Sequence, residues 1–137
     1  MTVNLADLPK GHEFAETRFE LTPEWAAEYR AAVEDQTNAP ADLPPLALAA
    51  FSIRALLHQG ALPEGAIHVS QELNFLNRGE MGGSAVARAR VASRGERQGW
   101  VLMGIELAIE AEDGKSMMSG RATITFPAEG RTQEVGA

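Results

Sequence analysis

The sequence predicts an α+β domain in which an antiparallel β-sheet wraps around one long central α-helix. Two observations carry this. The stretch centred on Pro45–Leu57 is apolar on nearly every side from Leu46 onward, and a helix apolar all round has to be enclosed by the rest of the fold. Residues 66–126 read as strands joined by short turns, with small side chains such as Ala85, Ala87 and Ala89 on one face. Small residues let a sheet curve closely around a helix, and that arrangement buries the apolar surface of both elements.

The elements follow in order. Residues 1–12 read as a loose entry segment. Phe14–Leu21 alternates, with Ala15, Thr17, Phe19 and Leu21 on one face, so it predicts a first strand. Thr22, Pro23 and Glu24 form a helix start: an N-cap, a residue suited to the first helical position, and a carboxylate at the positive end of the helix dipole. The helix presents Trp25, Ala26, Tyr29, Ala32 and Val33 on one face and fades near Asp35. A loop rich in Asn, Pro and Asp spans Gln36–Asp42. Asp42 is placed to cap the central helix, Pro44 and Pro45 are tolerated in its first turn, and Gly60 suits its C-cap.

Four strands are expected after that. Ala66–Leu76 places Ile67, Val69, Leu73 and Phe75 on one face. Ser84–Ser93 sets Ala85, Ala87, Ala89 and Val91 against Val86, Arg88, Arg90 and Ala92. Trp100–Ala111 alternates in the same way, and Met117–Phe126 ends at Pro127. The turns fall at Asn77–Gly79 with Gly82-Gly83, at Arg94–Gly99, and at Glu112–Lys115 with its Asp-Gly pair. The tail Ala128–Ala137 is small and polar, and is expected to be disordered. A sandwich with the helix on one side is the alternative arrangement. No internal repeat or second domain is read.

The bulk properties exclude several classes. A chain of 137 residues is one domain, large enough to bury a core without staples. There is no cysteine, which excludes disulfides and thiolate metal sites and is compatible with a cytoplasmic setting. His12, His58 and His68 are too scattered for a zinc site, and no cofactor is expected. A net charge of −7 disfavours nucleic acid as a partner. The N-terminus lacks the pattern of a secretory signal, and the longest apolar stretch is too short to cross a bilayer, which takes roughly 20 residues.

Several local patterns then coincide in order. They are Leu8-Pro9-Lys10-Gly11 before Phe14; Leu21–Glu24 with Tyr29, Ala32, Val33 and Asp35; Pro44-Pro45-Leu46; and His68, Gln71, Phe75 and Gly79. Over about residues 8–127 the chain resembles the MaoC-like hot-dog hydratases and dehydratases, in particular the amino-terminal half of the double hot-dog dehydratases. The resemblance implies a homodimer, or a heteromer with another hot-dog subunit, with sheets joined edge to edge. It also implies binding of an acyl thioester of coenzyme A or acyl carrier protein. Catalytic relatives add water to a 2-enoyl thioester or remove it from a (3R)-3-hydroxyacyl thioester, using a D-x-N-P-x-H signature between the first and central helices.

That chemistry needs an acid/base pair and donors for the thioester oxygen as it gains charge. The resemblance matches Asp35 to the signature Asp and likens Asn38 and Pro40 to its Asn-Pro, spaced out. The His has no counterpart, because no histidine lies between His12 and His58. By the same resemblance Pro45, Leu46 and Ala47, at the amino end of the central helix, are where the thioester carbonyl would sit. Two readings stand for each further candidate. Asp35 is half of an acid/base pair, or a polar residue ending a helix. His68 faces a dimer cleft, or starts a strand on the outer face. Asp42 is a base, or an N-cap. Arg88 and Arg90, with Arg78, Arg94 and Arg97, contact phosphates or an acidic carrier, or pair with Glu106 and Glu110 across the sheet. Arg54 is expected to snorkel to an open edge.

Three functions compete: an active hydratase or dehydratase, a non-catalytic subunit of a heteromer, and a thioesterase. The last is disfavoured because Leu46–Leu57 contains no carboxylate to activate water.

Overall fold

The computed structural model describes residues 3–35, 43–77 and 82–128. Asn38, Pro40, Asp42 and Arg78 lie outside the described residues, as does the tail beyond residue 128.

Five strands form one antiparallel sheet: β2 (Thr17–Glu20), β4 (Ile67–Phe75), β5 (Ser84–Arg97), β6 (Trp100–Ala111) and β7 (Ser116–Pro127). Their order is β2-β5-β6-β7-β4, so β4 is an edge. Helix α1 (Pro23–Ala32) follows β2, and the central helix α2 (Pro45–Gln59) lies on one face of the sheet. Two short strands, β1 (Val3–Asn4) and β3 (Gly60–Ala61), pair in parallel.

The core lies between α2 and the inner sheet face. Leu48, Ala55 and Leu56 of α2 join Val91, Met103, Ile105, Leu107, Ile109, Ile124 and Phe126 of the sheet, all buried. Alternation places those residues inward and the charged ones outward. The hairpin between β5 and β6 is tighter than the expected Arg94–Gly99 turn. Gln98 (φ 53°) and Gly99 (φ 82°) are its two central residues, and Arg97 pairs with Trp100 across it. Left-handed backbone at both positions is the geometry that matches the strands' twist.

Three further expectations need correction. Residues 3–12 of the expected loose entry segment are ordered by the fold: Leu5 and Leu8 are buried in the core, and Arg94 Nη1 donates to the Leu8 carbonyl at 3.2 Å. Gly60 leaves room for Leu5, whose side chain a Cβ there would meet. The β4 face does not alternate throughout. A bulge between His68 and Ser70 puts Ile67 opposite Thr125 on the outer side, while Leu73 and Phe75 lie opposite Gly120 and Met118 on the inner side. The central helix is not enclosed by its own chain either. Leu46 is 55% and Leu57 41% exposed, on the side of α2 facing away from the sheet. In addition, Ala128 is buried and its N–H donates to the Gly99 carbonyl at 2.8 Å, so this residue is part of the fold.

Candidate functional site

Helix α1 sets the position of Asp35. Thr22 Oγ1 accepts the Trp25 N–H at 3.1 Å and starts the helix. At the other end Glu34 N–H donates to Ala31 and Asp35 N–H to Arg30, at 3.3 and 2.8 Å. This is the paired bonding of a Schellman cap, with Glu34 at φ 57° in the place glycine usually takes. Asp35 is therefore directed by a left-handed turn and is solvent-exposed. The apolar face of α1 is only partly covered. Ala26 is buried and Trp25 packs beside Phe19 (5.7 Å between centroids), whereas Val33 is 52% exposed.

Helix α2 starts at Pro45, with Pro44 as a cap that makes no side-chain bond. Neither proline has an N–H, so Leu46 carries the first amide of the helix. The Ala47 N–H donates back to the Pro44 carbonyl at 3.1 Å. Leu46 is exposed and Ala47 buried. Arg54 is exposed, as the snorkelling reading requires. His58 lies in the last turn, at the opposite end from Pro45.

His68 stands opposite Ile124, a core residue, and so belongs to the helix side of the sheet. It remains exposed because β4 is an edge. The bulge one residue later removes it from the outer face that simple alternation assigned.

Arg88 and Arg90 lie on the outer face, away from α2. Arg90 Nε is 2.9 Å from Glu106, and Arg88 is 2.6 Å from Glu16 and 3.7 Å from Glu110. Across the strands the register runs Glu13, Arg90, Glu106, Arg121 and Glu72, alternating in sign. These residues line a polar trough of about 510 Å³. Arg121 reaches back over Gly104 and donates to Ser93 Oγ at 2.6 Å. An incoming phosphate would have to displace carboxylates from Arg88 and Arg90. The site residues thus divide: Pro45–Ala47 and His68 are on the helix side, Arg88 and Arg90 on the outer side, and Asp35 at the end of α1.

A second cavity went unread in the sequence. It lies between the helices, about 390 Å³ in volume. Its walls are two stripes of identical spacing, Trp25, Glu28, Tyr29 and Ala32 from α1 and Ala47, Ala50, Phe51 and Arg54 from α2. The shared i, i+3, i+4, i+7 pattern was visible, but not that the two stripes face each other. Among the described residues no group of His, Asp and Glu could hold a metal, and no helix is long and apolar enough to cross a membrane.

No family model matches the chain, and no curated protein matches it. Solved structures do. An (R)-hydratase from A. caviae involved in PHA biosynthesis is 20% identical, with a TM-score of 0.72 over 88% of this chain and 98% of that one. A MaoC-like dehydratase from Rhodospirillum rubrum is 15% identical, with a TM-score of 0.72 over 94% and 99%. The C-terminally truncated HadBC (3R-hydroxyacyl-ACP dehydratase) complex from Mycobacterium tuberculosis is 19% identical, with a TM-score of 0.66 over 89% and 100%. Each likeness extends over nearly the whole of both chains, and with an antiparallel sheet packed on one central helix it establishes that this chain has the hot-dog fold.

Proposed function

We propose that this chain binds acyl thioesters as a MaoC-like hot-dog subunit and relies on another chain for the acid/base pair. One observation carries the reading: the hot-dog scaffold is complete, yet no histidine lies between His12 and His58 in the segment feeding the central helix. The thioester carbonyl would sit at the amino end of α2. There the helix dipole and the Leu46 amide would favour a developing oxyanion, and Asn38 would contact the substrate. Asp35 would supply one carboxylate, and the histidine that shares the proton work in the signature has no counterpart in the sequence. Arg88 and Arg90 would serve at most at the periphery, since both already engage glutamates.

The partner in this reading is a second hot-dog subunit covering the exposed side of α2 and the β4 edge. The likeness to a two-component mycobacterial dehydratase supports it. A homodimer active through Asp35 is the second reading, favoured by the likeness to an (R)-hydratase. The proposed setting is the cytoplasm, with neither nucleic acid nor membrane as a partner.

The test follows hydration of a 2-enoyl-CoA spectroscopically, with the pure protein and with hot-dog subunits encoded beside it. Turnover only in the mixture supports the subunit reading. Turnover by the pure protein, lost on Asp35→Asn, overturns it in favour of the homodimer. Failure to bind any acyl thioester removes both.

A further inference from the structure

We infer that the groove between α1 and α2 is a binding site for a small carboxylate with an apolar body, such as a medium-chain fatty acid, held at its charged end by Arg54. The groove is open for a structural reason. The helices face each other through Ala32, Ala47 and Ala50, side chains too short to fill the space between two backbones, and about 390 Å³ is left. That lies within the span of small-molecule sites, roughly 300–1,000 Å³.

Its aromatic wall is held in place. Phe51 stacks on Phe19 with centroids 3.7 Å apart, and Phe19 in turn touches Trp25. Rings already ordered by the fold lose little freedom when an apolar ligand covers them.

The charge at the groove is asymmetric. Of the sheet arginines, 18, 88, 90, 94 and 121 have hydrogen-bonding partners, and Arg97 stands at the hairpin end of β5, away from the groove. Arg54 has no ion pair or hydrogen bond among the described residues, and Glu28 on the opposite wall does not approach it within 4.0 Å. A guanidinium on a wall otherwise made of Ala47, Ala50 and Phe51 offers a forked donor to a planar carboxylate beside apolar surface. Glu28 repels a carboxylate from its own side, which leaves Arg54 as the anchor.

The experiment uses the full chain carrying Trp100→Phe, which makes Trp25 the sole tryptophan. Trp25 fluorescence is titrated with sodium decanoate below its micellar concentration. Saturable binding of one decanoate per chain is expected, weakened about tenfold or more by Arg54→Gln, the loss of one charge-assisted contact. Ala50→Phe, which fills the groove, is expected to abolish the signal, and Glu28→Gln to preserve or strengthen it. Circular dichroism melts establish that each variant is folded, and Arg54→Met replaces any Arg54→Gln protein that is not. The inference is overturned if decanoate gives no saturable change, if decanol or decylamine binds as well, or if Arg54→Gln binds like the parent. Decanoate carries no coenzyme or thioester, so the result is independent of whether acyl-CoA binds.

Discussion

Glu34 and Gly60 show how single residues set the two helix ends. Glu34 takes a left-handed conformation that costs a non-glycine residue about 1–2 kcal/mol. Glu34→Gly removes that strain but raises the entropy of the unfolded chain by about 0.4–1 kcal/mol. The net expectation is a modest gain, read as a small rise in Tm. A fall in Tm would show that the Glu34 side chain contributes more than its backbone costs. Gly60 is the reverse case, because a Cβ there runs into Leu5 at the core. Gly60→Ala is expected to destabilise by about 1–3 kcal/mol, the usual cost of overpacking. Urea unfolding measures it, and in a double-mutant cycle with Leu5→Ala the combined loss should be less than the sum of the two single losses.

Among the elements, α1 is held by its caps and by a short aromatic contact. Thr22→Ala removes the acceptor for Trp25 N–H and should cost about 1 kcal/mol. The change should appear as faster amide exchange over residues 23–32, with the sheet unaffected. The outer charge row looks imposing but is half exposed. The Arg90 and Glu106 side chains are 51% and 45% accessible, and solvent-screened pairs contribute little. Glu106→Gln should shift stability by less than about 1 kcal/mol in denaturant titration. A larger loss would mean that the alternating row acts as a network. Strand β4 illustrates a limit of periodicity. One bulge at Val69 reverses the faces before and after it, so His68 and Ile67 exchange the roles that strict alternation assigned.

For the whole molecule, the open side of α2 is the surface that the proposed assembly would cover. Leu46 and Leu57 are exposed on one helix, and Ile67, Val69, Phe75 and Leu76 on or beside the edge strand. Exposed apolar side chains of this kind are the ones an assembly would bury. Under the proposed subunit assembly, Leu57→Glu should weaken self- or hetero-association while leaving the monomer folded. Sedimentation at several concentrations should show a shift toward monomer, with circular dichroism unchanged. An unaltered sedimentation profile would place the contact elsewhere. If association covers this surface, Tm should rise with protein concentration.

The sequence by itself determined the elements and their order. Thr22 and Pro23 start α1, the apolar run defines α2, and alternation with turn residues locates β5, β6 and β7 within a few residues. These signals are local, so a linear reading captures them. It also showed that no histidine follows Asp35 before His58. The tertiary structure decided what depends on contact between distant segments. Leu5 fills a space that Gly60 leaves, Arg88 and Arg90 meet Glu110 and Glu106 on the neighbouring strand, and the bulge at Val69 selects the face of His68. The groove is the clearest case. Trp25, Glu28, Tyr29 and Ala32 and the matching stripe on α2 each resemble an ordinary buried helix face. Only their meeting across short alanines shows that the space between them is unfilled, because packing is a property of pairs of surfaces rather than of either sequence alone.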